Sequence, residues 1–413
     1  MMNLTATQVF RTMGFWTALA NATMFTTYAV YQVVALGLNP LQLLLVGMVL
    51  EVTVLIFEGV TGVIADLYGR RLSVIIGMFV LGCGFILEGS AIWLGNPHVS
   101  AFIWLLLSQV VFGIGATLIS GADTAWIVDE VGEEQAGRVF LGAKRIGLWG
   151  TLIGIALSVG ISSLGPNLPY VAGGVLYLAL GLFLFAAMKE TRFIRAERGN
   201  DTSHWANMKT TWLSGAQVIR RQPMLMMILV VTLFSGAASE GYDRLWQAHL
   251  IVDIGFPLGE QFTAAIWIGM ISVISTLLSL PVMRIAENRI DMSDERIVLR
   301  GMIVLTAARI AAIAALAFAP GFDWALVSVL LIEIVRTLNG PFYDTWLNLN
   351  IDSKSRATVL SMMSQSDALG QTAGGPVVGW IGNRLSLRAS LAAASVLLVP
   401  ILSVYSRAAR HKR

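Results

Sequence analysis

Apolar runs of twenty residues or more follow one another along almost the whole chain, and no other feature limits its fold as tightly. A helix that crosses about 30 Å of hydrocarbon needs roughly 20 mostly apolar residues. Twelve runs reach that length: 10–36, 40–64, 72–95, 100–127, 139–164, 168–188, 223–248, 261–285, 297–319, 323–347, 357–382 and 386–406. Little sequence is left outside them, so any chemistry has to sit among the spans. Only 13% of the 413 residues are charged, about half the share of a soluble domain. A folded soluble enzyme is therefore close to excluded. Disorder is excluded too, because 56% hydrophobic residues are too many to stay solvated. The first run is too long for a signal-peptide core and has no small-residue cleavage site after it, so no leader is expected. The single cysteine, Cys83, excludes an intrachain disulfide.

Basic residues set the orientation. Of the 28 lysines and arginines, 23 fall on one side of the predicted spans, from Arg11 to Arg413. The opposite loops hold Arg384 and Arg388, while Arg244, Arg309 and Arg336 lie inside spans. The positive-inside bias predicts both termini in the cytoplasm, as an even number of spans requires. With 28 basic against 25 acidic residues, no polyanion-binding excess exists, and no nucleic-acid partner is expected.

The longest polar stretch, 189–222, divides the runs into six and six. This predicts an N-terminal bundle over 1–188, a cytoplasmic linker over 189–222 and a C-terminal bundle over 223–413. Within the linker, 203–221 has Trp205, Trp212 and Leu213 as anchors for a surface helix, although a basic tether suffices. Two six-span halves are the repeat architecture of secondary transporters.

After the second span stands Gly62-Val63-Ile64-Ala65-Asp66-Leu67-Tyr68-Gly69-Arg70-Arg71. Gly62 permits a close helix approach and Gly69 a tight turn. Asp66, Arg70 and Arg71 are expected to form a charge cluster at the cytoplasmic mouth. This segment resembles the signature loop of the major facilitator superfamily, Gly-x-x-x-Asp-x-x-Gly-Arg-Arg/Lys. The resemblance implies an all-α membrane fold of twelve helices in two pseudo-symmetric bundles. It also implies that the loop latches the cytoplasmic side with an acid from the inner end of span four. Asp129 fits that place, followed by Arg138, and Asp123 is a second candidate.

Some family features are missing. Many drug:proton antiporters of that superfamily carry an arginine midway along span four, where this chain has Gln109 before Gly113 and Gly115. Their span-five motif with proline is replaced by Gly147, Gly150 and Gly154, and their span-one acid by Asn21, Tyr28 and Gln32. The strings Glu58-Gly59-Val60-Thr61-Gly62 and Ser120-Gly121-Ala122-Asp123-Thr124-Ala125-Trp126 are similar to a bacterial drug-efflux branch that includes macrolide exporters. Gly147, Gly150 and Gly154 in span five, and Gly370, Gly374, Gly375 and Gly379 in span eleven, form small-residue faces suited to close packing. Pro376 is expected to kink span eleven.

A charge at mid-bilayer costs roughly 3 kcal/mol at the least, so charges inside spans are candidate functional groups. Nine acids and three arginines qualify. Glu240 and Arg244 are spaced i,i+4, and Glu333 and Arg336 i,i+3, so each couple is expected to pair. Asp243 belongs to the same set. Asp344 is placed near a helix end, and Glu88 near the outer interface, where it is expected to snorkel. Glu51, Glu58, Asp367 and Arg309 have no opposite charge three or four residues away in the sequence. Burial without a cation favours the protonated form of a carboxyl, which suits Glu58 first, then Glu51 and Asp367, to proton coupling. The excess of acids favours cationic or zwitterionic lipophiles. Expected cavity walls are Asn21, Phe25, Tyr28, Gln32 and Gln109 in the first half. In the second they are Tyr242, Trp246, Asn339, Phe342 and Tyr343, with the charges Glu240, Asp243, Arg244, Arg309, Glu333 and Arg336.

No phosphate-cradling loop is present and no histidine pair has metal-ligand spacing. No cofactor, metal or catalytic group is expected. The sequence thus predicts a proton-coupled exporter of lipophilic small molecules in a cell membrane, acting as a monomer. Rival readings are an uptake symporter for a metabolite and a lipid transporter or scramblase-like protein.

Overall fold

The structure is a computed structural model that describes residues 4–96, 99–192, 217, 219–220, 222–257, 263–289, 294–351 and 356–411. The surface helix expected over 203–221 lies almost wholly outside the described residues. Those residues contain helices and turns and no strand. Ten helices among them are long and apolar enough to cross a membrane. The two remaining predicted runs, 10–36 and 357–382, also form helices, Ala6–Phe25 and Arg356–Arg384, but fall short of that apolarity. Exposed apolar side chains such as Leu141, Trp149, Leu182 and Phe185 are the lipid-facing surface such helices need.

The chain forms two compact units, Met1–Leu38 with Val49–His204, and Asn39–Met48 with Trp205–Arg413. In the first, the helices are α1 (Ala6–Phe25), α2 (Pro40–Tyr68), α3 (Arg70–Leu94), α4 (Ala101–Ile119), α5 (Ala122–Val131), α6 (Glu133–Ser162) and α7 (Leu168–Ala187). A capping box of Thr5 and Gln8 starts α1. Thr23 and Thr26 return their hydroxyls to the carbonyls of Leu19 and Ala22, a bond that bends helices. Beyond that point the chain runs as a π-helical stretch, Val30–Ala35. Gly121, at φ 75°, breaks span four into α4 and α5, a conformation costly for any other residue.

The second unit holds α8 (Pro223–His249), a π-helical stretch Leu250–Ile254, α9 (Ala264–Arg289), α10 (Glu295–Ala317) and α11 (Phe322–Leu349). It ends with α12 (Arg356–Arg384), α13 (Leu387–Leu397) and α14 (Val399–His411). Pro376 lies inside a continuous α12. The first turns of α2 pack here, where Gly375 and Gly379 of α12 face Leu44 and Leu41.

The same pairings recur in each unit. In the first, α1 packs on α6 and α7, and α3 on α4 and α7; in the second, α8 packs on α12 and α13, and α10 on α11 and α13. The leading pair is a small-residue seam in both. A Cβ on Gly154 would lie 2.7 Å from that of Ala22, and one on Gly374 would lie 2.6 Å from the Ala237 carbonyl oxygen. Backbones that close gain dispersion contacts where lipid supplies no hydrophobic drive.

Candidate functional site

At the linker end of the first unit, Gly69 turns the chain with φ 109° and caps α3. The backbone N–H groups of Arg70 and Arg71 both donate to Glu190 Oε1, at 2.8 and 3.3 Å. The Arg70 guanidinium is ion-paired with Asp129 and also donates to the carbonyl of Ala125 at 2.8 Å. Arg71 instead caps the end of α7: Nε donates to the Met188 carbonyl at 2.6 Å and Nη2 to that of Phe185 at 2.8 Å. The Trp126 indole donates to the Lys189 carbonyl at 2.8 Å, and Glu130 accepts from the Thr191 hydroxyl at 2.6 Å. Signature loop, α5 and residues 188–192 are therefore one fastened assembly.

Several expectations are corrected here. Asp66 is exposed and joins no hydrogen bond or ion pair among the described residues, so the cluster forms without it. Among the described residues a Cβ on Gly62 would meet nothing within 4 Å, so no close approach within the first unit's described residues depends on that glycine. Arg138 is exposed and unbonded among the described residues. Asp123 is not at the loop: it stands in the first turn of α5 and accepts from the Thr124 N–H at 2.6 Å. That helix N-terminus is favourable to an acid. The sequence reading missed Glu190 and Glu130. Glu190 had a signal, a lone acid at a span end between Lys189 and Arg192, whereas Glu130 is one of four acids over 129–134 and nothing in the sequence singles it out.

Asp123 lines a cavity of about 720 Å³ within the first unit. Its walls are mostly aromatic and aliphatic: Phe10, Phe25, Phe112, Phe140, Tyr177, Met13 and Met78. Polar groups are few, chiefly Asn21, Thr17, Thr151, Asp123 and Lys144. Asn21 accepts from the Tyr177 hydroxyl at 2.8 Å. Phe25, Phe85 and Phe112 stack and edge together at centroid distances of 4.6 to 6.3 Å.

Glu88 does not snorkel. It is 2% exposed, with Oε1 accepting from Gln32 at 3.0 Å and Oε2 from Gln109 at 2.9 Å. Tyr31 donates to the Glu88 carbonyl at 2.8 Å, and Gln32 also reaches the Tyr170 hydroxyl at 3.3 Å. Gln32 and Gln109, expected as walls of a cavity, belong to this buried network instead, and Tyr28 is buried as well. Once Glu88 is inside, its carboxylate must be met by donors, and the two amides supply them.

In the second unit Glu240 and Arg244 pair at 3.0 Å, the expected i,i+4 geometry. Arg336 does not take Glu333 as its ion-pair partner. It reaches across to Asp243 with two bonds, 2.7 and 3.1 Å, a two-pronged fit that guanidinium and carboxylate planes favour. Glu333 accepts from the Tyr242 hydroxyl at 3.4 Å. Arg309 is buried and its Nε has no hydrogen-bond partner among the described residues. Tyr242 and Phe342 are packed rather than wall-forming: Tyr242 is wholly buried and stacks on Trp246, and Phe342 is buried over Gly301. A second cavity, about 330 Å³, is lined by Asn339, Tyr343, Asp344, Asp367, Thr232 and Ser235 among others. Asp344 thus faces a cavity, and Asp367 accepts from Gln371 at 2.8 Å. On α2, Glu51 and Glu58 are both partly buried, and the Glu58 carboxylate has no hydrogen bond or ion pair among the described residues.

Residues 11–370 match the Major Facilitator Superfamily. The uncharacterized MFS-type transporter YxaM of Bacillus subtilis (strain 168) is 23% identical over 366 residues, 88% of this chain and 86% of that protein. The multidrug resistance protein MdtH of Blochmanniella pennsylvanica (strain BPEN) is 22% identical, covering 87% of this chain and 81% of its own length. The crystal structure of the nucleoside transporter NupG superposes with a TM-score of 0.72 at 14% identity, over 98% of this chain and 99% of that one. Its sequence match, its helical fold and its signature loop all agree: the chain belongs to the Major Facilitator Superfamily, a family of multi-span membrane transporters.

Proposed function

We propose that the chain is a secondary active transporter that exports lipophilic cationic or zwitterionic small molecules in exchange for protons, by alternating access. The observation that carries this reading is the first unit's cavity. Its volume falls in the range of small-molecule sites. Its aromatic and methionine walls suit ring systems, and Asp123 offers one carboxylate to an amine. The likeness to MdtH supports an efflux role. Glu58 is the proposed proton carrier, since its carboxylate lies partly buried in a predicted span with no bonded partner among the described residues. Proton binding there shifts the balance between inward and outward states only if the two states differ in proton affinity.

Reconstitution in proteoliposomes with an imposed pH gradient tests this. Cationic dyes should move only with the gradient, Glu58→Gln should abolish that movement, and Asp123→Asn should weaken dye binding about tenfold, the worth of one charge-assisted contact. Equal movement with and without a gradient overturns proton coupling.

Uptake of a polar metabolite is the second reading. The second unit's cavity favours it, because hydroxyls of Thr232, Ser235 and Tyr343 and the amide of Asn339 converge there. Gradient-driven accumulation of a polar solute with no dye transport would select it.

A further inference from the structure

His249 closes α8 at the end away from the linker, and its ring is completely buried. Nδ1 lies 2.8 Å from Asp253 Oδ2, one turn further along in the π-helical stretch. Nε2 lies 3.1 Å from the backbone carbonyl oxygen of Leu316, in the last turn of α10. A carbonyl oxygen only accepts, so Nε2 carries a proton in that bond. A neutral imidazole has a single N–H. Its Nδ1 would then be a bare lone pair facing a carboxylate oxygen. The short contact is a hydrogen bond only if a second proton lies between Nδ1 and Oδ2. The two side chains together therefore hold two protons, one more than a neutral imidazole beside a carboxylate.

Asp253 gives that proton a way in. Its side chain is 26% exposed, whereas the ring has no exposure at all. We propose that His249 and Asp253 form a proton-binding site at the far end of the second unit, loaded from water through Asp253. The helices packed around the pair carry other charges. These are Glu240, Asp243 and Arg244 on α8 itself, Asp323, Glu333, Arg336 and Asp344 on α11, Asp367 and Arg384 on α12, Arg388 on α13, Arg407 and Arg410 on α14, and Glu295, Arg296, Arg300 and Arg309 on α10. None of them hydrogen-bonds or ion-pairs with His249 or Asp253 among the described residues.

The site also has a mechanical side. Without the extra proton, the one remaining ring N–H serves Asp253 or the Leu316 carbonyl, not both. The tie from the π-helical stretch to α10 is complete only while the proton is bound. This inference needs neither an exporter nor an identified substrate, so it stands or falls apart from the transport reading.

The chain has four histidines. Replacing His98, His204 and His411 by Asn leaves His249 alone. In that full chain, 15N-labelled on histidine and held in lipid nanodiscs at neutral pH, one-bond N–H couplings count the ring protons. Infrared absorption reports a protonated carboxyl, assigned by its loss in Asp253→Asn. Two ring protons support the proposal, as does one ring proton with a carboxyl band that Asp253→Asn removes. In either case Asp253→Asn should leave a total of one proton. A single ring proton with no such band overturns the proposal, and so does retention of both ring protons in Asp253→Asn.

Discussion

Two backbone N–H groups at the start of α3 share one carboxylate oxygen of Glu190, which makes that residue a helix cap supplied from far along the chain. Replacing a good cap costs about 1 kcal/mol. Glu190→Ala is expected to lower the midpoint of thermal unfolding in detergent, and Glu190→Gln, which keeps one acceptor oxygen, to lower it less. An unchanged midpoint in the alanine variant would show that the cap is not felt. Glu88 is a sharper case. Glu88→Leu leaves the amides of Gln32 and Gln109 buried without their acceptor, at about 1–3 kcal/mol each. A marked loss of folded protein in size-exclusion chromatography is expected, and Glu88→Gln should recover most of it. The positions of charges inside the spans were legible because each one is conspicuous against apolar sequence. Their partners were not. Glu333 stands closer in sequence to Arg336 than Asp243 does, yet Asp243 takes the guanidinium, because helix phase and crossing decide which groups meet. For the same reason Asp123 and Asp129, six residues apart, serve a cavity and a loop.

Glycine has two different meanings among these helices, and substitution separates them. At Gly154 and Gly374 a Cβ would collide with a neighbouring helix. Gly154→Leu and Gly374→Leu are expected to destabilise by about 1–3 kcal/mol, the usual cost of overpacking, and to lower the thermal midpoint accordingly. At Gly62 the space is open, so Gly62→Ala should leave the midpoint unchanged or raise it slightly, alanine being the better helix former. If both kinds of substitution behave alike, the seams are looser than described. The small-residue faces were readable from spacing alone, since glycines three and four apart must share a side of a helix. Their partners, α1 for α6 and α8 for α12, follow from folding of each half on itself, which no local spacing encodes. The break between α4 and α5 was hidden for another reason: hydropathy stays high through Gly121, and only its positive φ marks the interruption.

At the scale of the whole molecule, the basic residues make a claim about topology that accessibility can check. With Cys83→Ser as background, a cysteine introduced as Lys412→Cys is expected to resist a membrane-impermeant thiol reagent added to intact cells. Ser386→Cys is expected to react. Labelling of position 412 from outside would overturn the cytoplasmic C-terminus, and with it the orientation read from the basic residues. Two helices needed for the twelve-span count, α1 and α12, are the less apolar ones, and each is one partner of a glycine seam, α1 with α6 and α12 with α8. Polar groups are tolerated there because neighbouring helices, not lipid, receive them. Each unit, finally, carries a π-helical stretch soon after its first helix: Val30–Ala35 follows α1 by four residues, and Leu250–Ile254 follows α8 at once. A π turn holds one residue more than an α turn. A surplus residue shortly past the first helix of each half gives the two halves a shared landmark. It marks the register at which one half should be laid over the other.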